Sequence, residues 1–182
     1  MGLDLVEIVI RIEETFGIQI SDRVATGLTT PRKVTDFILT QVEESPAPLP
    51  CLSQKAFYLL RREFTRQLSL PRQRFLLDAR LKEIVPEEQR DEVWKTIGSS
   101  VGAKSWPAMT RPVWLGFIPP RVRSVRELVD YLVVYDLPIL KREETAWSRA
   151  QVRDVLRRLI TDETGVTDFS DDSRFVEDMH LD

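Results

Sequence analysis

Three segments of this 182-residue chain occur twice, with the copies 94–96 positions apart. Tyr58-Leu-Leu-Arg-Arg-Glu-Phe matches Asp154-Val-Leu-Arg-Arg-Leu-Ile in its apolar and arginine positions. Asp78-Ala-Arg-Leu-Lys-Glu matches Asp172-Ser-Arg-Phe-Val-Glu. Ser124-Val-Arg-Glu-Leu-Val-Asp-Tyr-Leu matches Thr30-Pro-Arg-Lys-Val-Thr-Asp-Phe-Ile. Helices share a periodicity, so one match of this kind carries little weight. Three at nearly one displacement point to a duplicated unit, and that limits the chain to two like folds.

The local pattern within each unit is helical. Leu3, Val6, Val9, Ile10, Ile12 and Phe16 recur at helical spacing, with Gly17 as the expected C-terminal cap. Thr30 is the N-cap of a second helix, Pro31 its first residue, and Val34, Phe37 and Ile38 its apolar stripe. Pro46, Pro48 and Pro50 then break any helix. Further helices are expected over about Lys55–Leu68, from Pro86 to Gly98 or Gly102, from Ser124 through Leu132, and over about Ala150–Ile160. Ala103–Arg121 is rich in proline, holds Trp106 and Trp114 without a clear period, and reads as an irregular packed loop. The expected organisation is all-α, with one unit from residues 1–43 plus 144–182 and another from 52–136. Residues 44–51 and 137–143 would be linkers.

Composition excludes several functions. The apolar fraction of 42% and charged fraction of 30% are those of an ordinary soluble globular protein. No apolar run approaches the roughly 20 residues of a membrane helix, and the N-terminus lacks a signal-peptide pattern, so a cytoplasmic protein is expected. One cysteine, Cys51, and one histidine, His180, allow neither an internal disulfide nor a Cys/His zinc site. Thr161–Asp182 carries eight acidic residues against one arginine, while Ser53–Arg90 carries nine Lys/Arg against five Asp/Glu. The basic stretch has no nucleic-acid motif. Arg61-Arg62 and Arg157-Arg158 read as solvent-facing charges flanking their helices. There is no glycine-rich phosphate loop and no paired nucleophile and base, and the adjacent acids Glu43/Glu44 and Asp171/Asp172 cannot face each other across a substrate. An enzyme is not expected: no catalytic residue and no metal ligand is assigned.

The two ends of the chain carry a further pattern. Residues 174–182 read Arg-Phe-Val-Glu-Asp-Met-His-Leu-Asp, and residues 2–18 read Gly-Leu-Asp-Leu-Val-Glu-Ile-Val-Ile-Arg-Ile-Glu-Glu-Thr-Phe-Gly-Ile. Placed end to start, they resemble the centre of an acyl carrier protein. There a segment like F-V-E-D-L-G-x-D leads into D-S-L-D-x-V-E-L, sharing that Asp, and an E-E-x-F-G-I helix end. The resemblance implies two acyl-carrier-like four-helix bundles, one of them circularly permuted and assembled from the N- and C-terminal segments. The other, the central unit, is covered only weakly, through the internal repeat.

The family holds its acyl group on phosphopantetheine attached to the serine of Asp-Ser-Leu-Asp. That pattern falls on Asp182, Gly2, Leu3 and Asp4, so the serine position is Gly2, and the matching place in the central unit is near Glu87. Neither offers the hydroxyl, and no cofactor is expected. The family's acidic recognition helix implies a partner-binding face of Asp4, Glu7, Glu13, Glu14 and Asp182, with Val6, Val9, Ile10 and Ile12 turned to the core. Such a face would dock proteins with a basic surface through fast, salt-sensitive encounters.

The expected function is therefore a non-catalytic, carrier-like adaptor of acyl or lipid metabolism. It would bind neither nucleic acid nor membrane, as a monomer or a segment-exchanged dimer. One alternative is a working acyl or peptidyl carrier of fatty-acid or polyketide-type metabolism, with phosphopantetheine at an atypical site. Another is a scaffold or oligomerisation protein exposing Trp106, Trp114 and Phe117 as a patch.

Overall fold

Capping signals set many of the helix ends. The computed structural model describes residues 2–109 and 121–181. Its helices are α1 (Leu3–Phe16), α2 (Asp22–Ala25), α3 (Pro31–Gln41), α4 (Leu52–Leu68), α5 (Leu81–Ile84), α6 (Arg90–Val101), α7 (Val125–Tyr135), α8 (Leu137–Leu140) and α9 (Arg149–Thr164). A 3-10 turn at Arg72–Arg74 lies between α4 and α5. The described residues contain isolated backbone bridges and no strand, so the chain is all-α. The side chains of Thr30, Ser124 and Ser148 accept from the N–H groups of Lys33, Glu127 and Gln151, opening α3, α7 and α9. Each such cap stabilises its helix by about 1 kcal/mol. Gly17, Gly102 and Gly165 close α1, α6 and α9 in the left-handed conformation that glycine adopts without steric cost.

The chain divides into two compact units. The terminal unit comprises Met1–Leu49 with Glu144–Asp182, and the central unit Pro50–Glu143. In the terminal unit, α1 and α3 both pack on α9. Ile8, Ile12 and Phe16, Val34 and Ile38, and Val152, Val155, Leu156, Leu159 and Ile160 are the buried faces. Each large apolar side chain buried this way contributes about 1.5–3 kcal/mol. Trp147 lies against Phe16, ring centroids 4.8 Å apart. Its backbone pins the stretch after α3, donating to Glu43 O at 2.7 Å and accepting from Ser45 N at 2.8 Å. The acidic loop after α9 is anchored by buried Phe169, Phe175, Met179 and Leu181.

In the central unit, α4 carries α6, α7 and α8. Leu60, Phe64, Phe75, Leu81, Ile97, Leu128 and Leu132 form its core. Trp106 packs against Trp94, centroids 5.0 Å apart, over Gly98. Asp136 is buried, and its Oδ2 accepts from Lys104 N at 2.6 Å, tying the start of the proline-rich stretch to the end of α7.

The repeated segments make repeated contacts. Leu81 N donates to Arg123 O at 2.9 Å and Arg126 N to Leu77 O at 2.8 Å in the central unit. In the terminal unit, Phe175 N donates to Thr29 O at 3.1 Å and Arg32 N to Asp171 O at 2.8 Å. Every partner is displaced by the same 94 positions.

Several expectations differ from the structure. Ile10 is exposed rather than turned to the core, and Val6 and Val9 sit at the margin. Ile8, Ile12 and Phe16, spaced four apart, point the same way as a straight helix meets α9. α6 begins at Arg90 rather than Pro86, because residues 87–89 form a turn closed by Arg90 N to Glu87 O. The stretch after Tyr135 is not plain connection: α8 buries Leu137 and Leu140. Arg157 and Arg158 are half-buried rather than solvent-facing. Arg157 donates to Phe169 O at 2.7 Å and lies over the Phe169 ring at 4.2 Å, while Arg158 pairs with Asp154. Trp106 is half-buried, and Trp114 and Phe117 lie outside the described residues.

Candidate protein-docking helix

α1 runs 14 residues with one side committed to α9, and the composition of its other side sets what it can do. Gly2 is the N-cap, with extended φ and ψ, and it accepts from Val6 N at 3.2 Å. It has no side chain to cap the first turn or to carry a prosthetic group. In the central unit α6 starts from Gln89, and Ser99 and Ser100 lie in its last turn. The residues at these two helix starts do not fit attachment of phosphopantetheine.

The outward side of α1 mixes acid and apolar groups. Leu3 is 71% exposed and Ile10 46% exposed, an unusual position for large aliphatic side chains so near a well-packed core. Glu7 and Glu14 are exposed too. At 100° per residue, Leu3, Glu7, Ile10 and Glu14 fall on one stripe of the helix. Asp4 is half-buried in the first turn, where its charge favours the helix dipole.

Glu13 is placed differently from Glu7 and Glu14. Its Oε1 accepts from Ile20 N at 2.5 Å, fixing the turn that follows Gly17. Arg11, in the middle of the helix, pairs its Nε with Glu163 Oε1 at 2.6 Å, joining α1 to the end of α9. The helix is thus acidic on its free side because its one arginine is spent on packing. Asp182 lies outside the described residues. Sequence reading missed Leu3 and Ile10 as surface residues. The i, i+4, i+8 spacing of Ile8, Ile12 and Phe16 sets them on a different face from Leu3 and Ile10, but the packing on α9 decides which face is buried.

A shallow groove of about 880 Å³ opens beside the C-terminal end of α1, among Glu13, Ile18, Ile20, Val24 and Phe37. An exposed ion pair joins the acidic loop after α9 to the start of α3. Arg32 Nε meets Asp172 Oδ1 at 2.5 Å. The hydrogen bond to Arg32, and then its charge, hold the Asp172 carboxyl below the usual carboxylate range, and Arg32 is raised in turn, by the same bond first. Among the described residues no group of three or more His, Cys, Asp or Glu side chains is placed to hold a metal ion. No helix among them is long and apolar enough to cross a membrane.

No protein-family model, no curated protein and no solved structure matches this chain.

Proposed function

We propose that this chain is a carrier-like adaptor: two acyl-carrier-like four-helix bundles, the terminal one circularly permuted, that dock a protein partner and carry no phosphopantetheine. The observation that carries the reading is the free stripe of α1, where the exposed Leu3 and Ile10 alternate with Glu7 and Glu14, beside a Gly2 that has no hydroxyl. An apolar pair flanked by carboxylates suits a partner with a shallow apolar spot rimmed by Lys and Arg. The acids steer the encounter and the aliphatic groups hold it.

Three further observations support the carrier-like reading. Reading the terminal unit from α9 through the acidic loop to α1, α2 and α3 gives a long helix, a long loop, a second helix, a short helix and a last helix. The hub role of α9 toward α1 and α3 parallels that of α4 toward α6 and α7. His180 has φ of 58°, the left-handed region that favours glycine, and glycine is what the carrier pattern has at that place. On this reading the protein is cytoplasmic, non-enzymatic and part of acyl metabolism.

The test is a binding measurement with a purified partner captured by the full chain. Glu7→Lys and Glu14→Lys, at exposed positions, are expected to leave the melting temperature unchanged and to weaken binding at least tenfold at low salt, as is Ile10→Ala. Binding that is indifferent to all three would place the interface elsewhere and defeat the proposal.

A further inference from the structure

We infer that the central unit binds a small organic anion, an apolar body bearing a phosphate-class group, in a cavity rimmed by Arg80, Lys82, Arg121 and Arg123. The cavity measures about 510 Å³, a volume typical of small-molecule sites. Leu81 and Val122, both buried, and Met109 give it an apolar floor. That floor is held by backbone bonds, from Leu81 N to Arg123 O at 2.9 Å and from Val122 N to Ala108 O at 3.3 Å.

Among the described residues the four cations form no ion pair, Arg121 Nε donates to Met109 O at 3.3 Å, and they outnumber the acids that line the cavity. Two acids also line the cavity, and both are engaged: Asp78 pairs with Arg126 at 2.9 Å, and Glu127 Oε2 accepts from Arg123 N at 2.7 Å. Among the described residues no carboxylate pairs with the side chains of Arg80, Lys82, Arg121 or Arg123. Residues 110–120 contain no Asp or Glu. The start of α7 adds no free donor, because its first-turn N–H groups at Val125, Arg126 and Glu127 bond Ala79 O, Leu77 O and Ser124 Oγ. Recognition of an anion therefore falls to the side-chain cations, three of them arginines, whose guanidinium forks suit phosphate oxygens.

The other unit supplies a control inside the same chain. Displaced by 94 positions, Arg80, Lys82, Arg121 and Arg123 correspond to Arg174, Val176, Gly27 and Thr29. The same backbone contact forms there, Phe175 N to Thr29 O at 3.1 Å, with three of the four cations missing, and Arg174 is paired with Glu177 at 3.6 Å. The fold of this corner does not need the positive charge. Like charges brought together repel, and the central unit retains them for a counter-charge that comes from outside.

The test uses the full chain, with phenyl phosphate and inorganic phosphate as probes at constant ionic strength, read by calorimetry and by amide shifts. Saturable binding of phenyl phosphate is expected, tighter than that of inorganic phosphate, with shifts confined to residues near 80–82 and 121–124. Arg121→Gln with Arg123→Thr is expected to weaken it at least tenfold while the thermal melt keeps its shape. Arg72→Gln with Lys95→Gln removes the same charge from residues that do not line the cavity and is expected to leave binding unchanged. Absence of saturable binding would overturn the inference. So would equal loss in both double variants, which marks general charge attraction, or equal affinity for inorganic phosphate, which removes the apolar body. Displacement of the probe by a poly-glutamate peptide at lower concentration would also overturn it, making the surface a protein contact.

Discussion

Arg32 holds Asp172 through two parallel bonds, Nε to Oδ1 at 2.5 Å and Nη2 to Oδ2 at 2.7 Å. Ninety-four positions away Arg126 meets Asp78, with Nε and Nη2 both directed at Oδ1, at 3.2 and 2.9 Å. In each unit the arginine is the second residue of a capped helix, and the aspartate belongs to the loop before a buried anchor, Phe175 or Leu81. The recurrence of side-chain and backbone contacts at one displacement supports the proposal that the two units descend from one.

The Arg32–Asp172 pair has a defined pH signature. The folded carboxyl titrates below its unfolded value of about 3.9, so its contribution to stability is complete above that value and is lost as pH falls through the lower folded pKa. Asp172→Asn is expected to be slightly less stable than wild type at pH 7, with a gap that closes in acid. Because both side chains are largely exposed, the gap is small and narrows at high salt. Denaturant midpoints at several pH values check this. A gap that widens in acid would contradict it.

His180→Gly relieves a left-handed backbone at an exposed side chain. Left-handed geometry costs an ordinary residue about 1–2 kcal/mol, and the extra freedom of glycine in the unfolded chain returns part of that. The variant is expected to gain about 0.5–1 kcal/mol, measured by equilibrium urea unfolding. A loss of stability would mean that the imidazole does more than the backbone geometry indicates.

Gly98→Ala sets two effects against each other. Alanine favours the interior of α6 by about 0.5–1 kcal/mol. Its Cβ, however, would lie 2.6 Å from Trp106 Cγ and 2.8 Å from Cδ2, atoms close to the backbone and wedged beside Trp94. Overpacking costs about 1–3 kcal/mol, so a net loss is expected, with altered tryptophan fluorescence. Unchanged stability would show that the indole moves aside freely.

Helix identity and capping were legible because they are local. Thr30 with Pro31, and Ser124, announced α3 and α7, and Gly17 and Gly102 closed α1 and α6 where expected. What depended on tertiary partners was not legible. Leu3 and Ile10 have the same hydrophobicity as Ile8 and Ile12, and only the position of α9 decides which pair is buried. Arg157 looked like its surface neighbours until the loop carbonyl of Phe169 came within reach, and the acid of Glu13 looked like that of Glu14 until Ile20 N lay beside it. The cation-rimmed cavity draws on residues about 40 positions apart in sequence, and none of them forms a motif.

The proposed function rests on α1 starting at Gly2, which has no hydroxyl to hold a phosphopantetheine arm. The most direct measurement is the intact mass of the full chain after incubation with a phosphopantetheinyl transferase and coenzyme A. The expected result is the mass of the bare polypeptide. A mass raised by one phosphopantetheinyl group would contradict it, and locating the modified residue would return the chain to the working carriers.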